Sequence, residues 1–233
     1  MALPLLVTPE FTTAIPSTGK EIRYRPFLVK EEKILLMAME GKDQKEISNA
    51  VMKLLENCIV SKDVQVTKLT TFDIEYLFLK LRGKSVGEVV ELNLGHMNNN
   101  KCEEKTPIQL NLDEIKVTGK ISDGKIMITK DVGVKMRYPS LKDIIGTDLE
   151  DDESGYNLVQ KCVEYVFDKD EVYSDFSEKE MKDWIESLGQ EQFKKMADFL
   201  QKMPKLSHKV KWKCKACGEE ESLTLEGLQS FFI

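Results

Sequence analysis

The chain closes with VKWKCKACGEEESLTLEGLQSFFI, and its two cysteines, three residues apart between strand-like runs, constrain the fold more than any other feature. In a Cys-x-x-Cys-Gly knuckle the glycine allows a tight backbone turn, so that two thiolates can converge on one metal ion. Structural zinc takes four ligands. Cys214 and Cys217 therefore supply half a site, and the other half has to come from distant parts of the chain. Five cysteines and two histidines in 233 residues leave few donors to choose from. Cys58 and Cys162 fall inside apolar helical patterns and read as small buried hydrophobes. Cys102, His96 and His208 remain. His96 and Cys102 flank the polar turn of LNLGHMNNNKCEEKTPIQLNL, a strand–turn–strand design matching that around Cys214. Two such hairpins facing one ion would make a Cys₃His zinc ribbon of Cys214, Cys217, Cys102 and His96, with His208, beside the last strands, as the weaker fourth ligand. The gap between His96 and Cys102 is looser than in a second knuckle, so a ribbon without metal is the competing reading. Redox chemistry is a third, disfavoured because the pair does not open a helix after a strand.

Elsewhere the hydrophobic period alternates between two values. GKEIRYRPFLV (19–29) has strand alternation that Pro26 ends, and KEEKILLMAME (30–40) reads as a helix stopped by Gly41. Asp43 and Glu46 form a capping box for a stripe of Ile47, Val51, Leu54, Leu55 and Cys58. TTFDIEYLFLKLRG repeats the design, with Thr70 as cap and Gly83 as stop. Near residue 86 the period becomes two: GEVVELNLGH, TPIQLNLDEIKV and GKIMITKDVGVKMRYPS predict strands. From 141 the helical pattern returns, through YNLVQKCVEYVF, SEKEMKDWIESLG with a Ser177–Glu180 capping box, and QEQFKKMADFLQKMP. Trp184 and Trp212 read as half-buried packing residues. Phe231, Phe232 and Ile233 read as either a closing piece of the core or a docking tail.

Blocks of helices and blocks of strands predict an α+β fold, a helical body with a smaller antiparallel β module resembling a zinc ribbon. The grouping expected is 1–28 for N-terminal strands, 29–85 plus 141–204 for the helical body, and 86–140 plus 205–233 for the β module.

The 41% apolar and 32% charged content is that of a globular protein, and the net charge of −6 argues against a phosphate-coating surface. The lysines of KVKWKCK read as a solvated strand face and DLEDDES as an exposed acidic loop. No apolar run is long enough to span a bilayer, and the first residues lack the basic flank of an export signal, so a reducing compartment and no membrane partner are expected. There is no phosphate loop, no Gly-x-Gly-x-x-Gly and no His-Glu-x-x-His. Neither histidine stands near a nucleophile motif. No catalytic residue and no small-molecule substrate are expected.

The motifs GKEIRYRPFLVKEEKILL, LTTFDIEYLFLKLRGKSVGEVV, LNLDEIKV, VGVKMRYPS and CKACG…LEGLQSFF, in this order, resemble a baseplate family of T-even-type contractile-tailed bacteriophages that includes the baseplate hub subunit and the hub assembly catalyst. The N-terminal part is also similar to phage tail assembly chaperones. The resemblance implies a second Cys-x-x-Cys where this chain carries His96 and Cys102. It also implies a non-enzymatic virion or assembly protein, made in the host cytoplasm, that binds other tail or baseplate hub proteins. A zinc-ribbon factor binding nucleic acid or polymerase is the alternative, with Lys205, Lys209, Lys211, Lys213 and Lys215 as its basic face.

Overall fold

The computed structural model describes residues 6–41, 43–96, 102–145, 152–227 and 230. Its helices and small antiparallel sheets make an α+β fold, divided into two compact units. The first contains Met1–Val66, Phe72–Thr118 and Lys205–Ile233; the second contains Thr67–Thr71 and Gly119–Pro204.

In the first unit β1 (Phe11–Ala14) and β2 (Glu21–Tyr24) form a hairpin with Phe11 opposite Tyr24. Alternation along β2 buries Ile22 and Tyr24 and exposes Glu21 and Arg23. Next come α1 (Val29–Gly41) and α2 (Gln44–Cys58), the latter capped by the Asp43 carboxylate, which accepts the Lys45 N–H at 2.8 Å. Helix α3 (Thr71–Val86) buries Phe72, Ile74, Leu77, Phe78, Leu79 and Leu81. Those positions cover more than one stripe, so α3 is a central helix rather than a surface one. It runs through Gly83, where the sequence predicts a stop, to Val86. The buried turns before it and Ser85 after it, whose hydroxyl donates to Leu81 O (2.6 Å) and accepts the Phe27 N–H (3.0 Å), offset the ~1 kcal/mol that an interior glycine costs. Strands β3 (Val89–Leu94), β4 (Thr106–Asn111) and β5 (Lys116–Thr118) follow.

The second unit begins with the hairpin β6 (Lys125–Met127) and β7 (Gly133–Met136). After α4 (Leu141–Ile144) and α5 (Asp152–Lys161), strands β8 (Val163–Phe167) and β9 (Val172–Tyr173) complete a sheet of order β6-β7-β8-β9. The helix expected through YNLVQKCVEYVF thus ends at Lys161; β-branched and aromatic residues of Val163–Phe167 pair with β7 instead. Helix α6 (Glu178–Glu186) carries the Ser177–Glu180 capping box, and α7 (Gln190–Gln201) stops before Pro204. Met136, Val159, Cys162, Met181, Ile185 and Met196 are among the buried residues of this unit's core.

The chain then returns to the first unit as β10 (Lys205–Lys213) and β11 (Glu220–Glu226). Strand β10 pairs with β11 on one side and β5 on the other. Leu79, Leu92, Leu110, Ile115, Leu206, Val210, Trp212 and Leu225 share one core here. Trp184 is half-buried while Trp212 is buried. The partition differs from the grouping expected from the sequence. Helices α1–α3 and α4–α7 fall in different units, and residues 119–140 belong with the second, because β7 pairs with β8 and each group of helices covers its own strands. Most of DLEDDES, and the Phe231–Phe232–Ile233 ending, lie outside the described residues.

Each unit turns a corner on an arginine. Arg25 donates its backbone N–H to the Cys58 carbonyl (2.9 Å) and its guanidinium to the carbonyl of Asn57 (3.0 Å) and the carboxylate of Glu31 (3.0 Å). Glu31 also accepts the Leu28 N–H at 2.6 Å. Arg137 repeats this in the second unit, with its N–H on the Cys162 carbonyl (2.8 Å) and its guanidinium on Lys161 O (2.9 Å) and both oxygens of Asp143 (2.7 and 3.1 Å). Asp143 accepts the Ser140 N–H at 2.8 Å. Both carboxylates lie six residues after their arginine, and both carbonyls belong to a buried cysteine and the residue before it.

Candidate metal centre

Two hairpins of the first unit build the site. The β3–β4 ladder runs from Val89 opposite Asn111 to Leu94 opposite Thr106; the β10–β11 ladder runs from Ser207 opposite Glu226 to Lys213 opposite Glu220. Leu92 and Leu110 of one and Val210, Trp212 and Leu225 of the other are buried in the shared core, which holds the hairpins against each other. His96 stands two residues beyond β3 and Cys102 four before β4; Cys214 directly follows β10. The knuckle turns because Cys214 N–H donates to Glu219 O (2.9 Å) and Gly218 N–H to Cys214 O (3.0 Å). Gly218 has φ +75°, the left-handed region that side chains disfavour.

The four side chains singled out from the sequence come together: one ligand atom from each of His96, Cys102, Cys214 and Cys217 lies within 4.8 Å of all the others. The Sγ atoms of Cys102 and Cys214 are 3.8 Å apart, and Cys217 Sγ is 3.3 Å from His96 Nε2. An ion at ordinary zinc bond lengths in tetrahedral geometry would hold S···S at about 3.8 Å and S···N at about 3.5 Å, so the donor set fits zinc in both type and spacing. Cys214 is buried, Cys102 half-buried and Cys217 exposed, which leaves the cluster reachable from one side. His208 lies in the β10–β11 ladder opposite Leu225 and outside the cluster.

The electrostatics favour thiolate at Cys214. Backbone N–H groups of Cys217 and Ala216, with the facing His96, bring its thiol down to about 6 against the cost of burial. The Glu219 N–H favours thiolate at Cys217, but desolvation and then the neighbouring thiols of Cys214 and Cys102 outweigh it and raise the group. His96 is pushed up to about 9 by Cys214 and then by Glu221. A thiolate stabilised by N–H donors and packed among sulfurs is what a metal clip needs; thiolate, imidazole and carboxylate in series is also the order of an activated nucleophile. Three sulfurs and one imidazole within 4.8 Å of one another are a donor set that could hold a metal ion.

Sequence reasoning missed Glu219 and Glu221. Their carboxylates lie 3.8 and 3.1 Å from His96 Nδ1. GEEES reads only as an acidic run, and nothing short of the strand register tells which of its glutamates points inward. The latch arginines Arg25 and Arg137 were missed for the same reason.

Among the described residues no helix is long and apolar enough to cross a membrane. A family profile described as T4 bacteriophage base plate protein matches residues 8–233. No curated protein and no solved structure matches the chain.

Proposed function

Since the chain belongs to the T4 bacteriophage base plate protein family, and so to the virion tail, we propose that it is a non-enzymatic component or assembly factor of the baseplate hub. The match over nearly the whole chain carries this reading. It acts through contacts with other tail and baseplate hub proteins, during assembly in the host cytoplasm or in the finished virion. A zinc ion on Cys102, Cys214, Cys217 and His96 clamps the turn ends of the β3–β4 and β10–β11 hairpins as a zinc ribbon, adding to the core the two hairpins share.

The alternative, nucleic-acid binding on the lysines of β10, has less support. Exposed Lys205 and Lys213 face acidic partners on β11, with Lys205 Nζ 4.0 Å from Glu226 and Lys213 directly opposite Glu220. Lysines set against carboxylates release fewer counterions on DNA, and the net charge of −6 counts against this reading as well.

The test pairs metal analysis with phage assembly. Tag-free protein should carry about one zinc per chain, lost in Cys214→Ser, and phage lacking the protein should stop before complete hubs form. Mass spectrometry of purified virions separates a resident subunit from an assembly factor. Normal hubs without the protein would overturn the hub reading; a metal-free wild type would remove the clip alone. DNA affinity that falls steeply with salt would favour the nucleic-acid factor.

A further inference from the structure

We infer that Glu221 positions His96 as a metal ligand, holding Nδ1–H so that Nε2 presents its lone pair to the three sulfurs. The inference rests on the zinc reading above and assigns a role to a residue outside the four ligands.

The starting observation is where Glu221 stands. Along β11 the inward positions alternate as Glu221, Leu223 and Leu225, and Leu225 lies in the hydrophobic core. Across the ladder Glu221 faces Trp212, itself buried. A strand normally fills this place with an apolar side chain, because a buried carboxylate costs free energy unless it is paired. The Glu221 side chain is only 6% exposed, against 47% for Glu219. Its partner is His96 Nδ1 at 3.1 Å, on an imidazole that is itself 1% exposed. The opposite ring nitrogen is 3.3 Å from Cys217 Sγ.

A neutral imidazole carries one N–H and one lone pair. With the N–H committed to Glu221, the lone pair points toward the thiols, and the ring has no freedom to present the wrong nitrogen. The carboxylate also raises the basicity of the coordinating nitrogen. His96, Glu219 and Glu221 form a second group of possible donors. That group has one fewer donor and lacks sulfur. The sulfur-lined side, with four donors, is the better zinc site.

The experiment uses the full chain with zinc and then cobalt as probes. Zinc affinity is measured by chelator competition for wild type, Glu221→Gln and Glu221→Ala. Expected losses are about 10-fold for the glutamine variant, which still accepts the Nδ1–H, and about 100-fold for the alanine variant. The cobalt-bound visible spectrum of wild type should show tetrahedral sulfur-and-nitrogen ligation, with the nitrogen contribution weakened in Glu221→Ala. Melting of the metal-free protein should differ little between wild type and Glu221→Gln. Equal zinc affinity in all three proteins would overturn the positioning role while leaving the site intact. An equal drop in metal-free and metal-loaded stability would assign Glu221 to packing and overturn it as well. A wild type that binds neither metal would overturn the zinc reading, and Glu221's role with it.

Discussion

Arg25 and Arg137 make the same corner in the two units, and their surroundings differ. Each ties the end of a strand to the first turn of the next helix and to the carbonyls at a buried cysteine. Around Arg137 the first helix is the four-residue α4 and the returning chain forms a whole strand, with Val163 opposite Met136. Around Arg25 the first helix has 13 residues and the return makes a single bridge, Ile59 to Tyr24. The corner therefore does not depend on what is built on either side. A guanidinium offers five donors in one plane, enough to meet a carboxylate and a carbonyl at once, and the backbone N–H takes the cysteine carbonyl, so one residue can organise the turn wherever the chain supplies those acceptors. The latches also differ in burial: the Glu31 side chain is 2% exposed and Arg25 19%, whereas Asp143 is 14% and Arg137 37%. A drier pair has more to lose when one partner goes.

The largest contrast between the units should come from metal removal, because the proposed clip lies in the first unit alone. Where free zinc exceeds the dissociation constant a thousandfold, occupancy contributes about 4 kcal/mol. Chelation should raise amide exchange in β3, β4, β10 and β11 and leave β6–β9 protected; loss of protection in both units would show that they do not respond separately.

Next is the latch itself. Arg25→Met strips buried Glu31 of its hydrogen-bonded cation, leaving only exposed Lys30 at 3.7 Å, and should cost about 3–4 kcal/mol. Arg137→Met, at the wetter latch, should cost about 1–3 kcal/mol, a carboxylate near water being partly rescued by it. Denaturant titrations of both variants measure the difference. Equal losses would mean that burial does not set the strength of the corner.

Acid should act on the second latch more gently. Burial raises the Asp143 carboxyl, but the Arg137 guanidinium and the hydroxyl and N–H of Ser140 outweigh it and bring the group down to about 2. A folded-state value below the unfolded one stabilises the fold above the ordinary carboxylate range and is lost as pH falls toward 2. The contribution is on the order of 1–2 kcal/mol after allowance for solvent. Asp143→Asn should flatten the stability profile between about pH 4 and pH 2; an unchanged profile would assign the acid sensitivity to other carboxylates.

The smallest effect concerns the cysteines beneath the latches. Cys58 and Cys162 are both 0% exposed, and burial pushes their thiols up to about 11 and about 12. Neither should be alkylated in the native protein at pH 8, while Cys217, exposed although its thiol is raised, should react in metal-free protein, more slowly than a free cysteine. Replacing either buried cysteine with alanine should cost about 1 kcal/mol, a little more at Cys58, whose sulfur also lies 3.7 Å from the Arg25 guanidinium.

The local signals in the chain were legible. Asp43 and Ser177 cap the helices that begin beside them, Ile22 and Tyr24 alternate as a strand requires, and scarcity of donors picked out Cys102, His96, Cys214 and Cys217. Capping and alternation are legible because they depend on residues close in sequence, and a candidate donor set because it depends on residue type alone; the fold then brings these four donors within 4.8 Å of one another. Whatever depended on a distant partner was not legible. Val163–Phe167 has a pattern that suits a helix or a strand, and pairing with β7 chose the strand. Gly83 is a stop in an isolated helix, and the buried turns before it, with Ser85 bonded to Leu81 and Phe27 after it, carried the helix past it. Glu31, Asp143 and Glu221 look like ordinary surface acids until register and packing turn them inward. Burial and long-range pairing are properties of the assembled fold, so no window of sequence contains them.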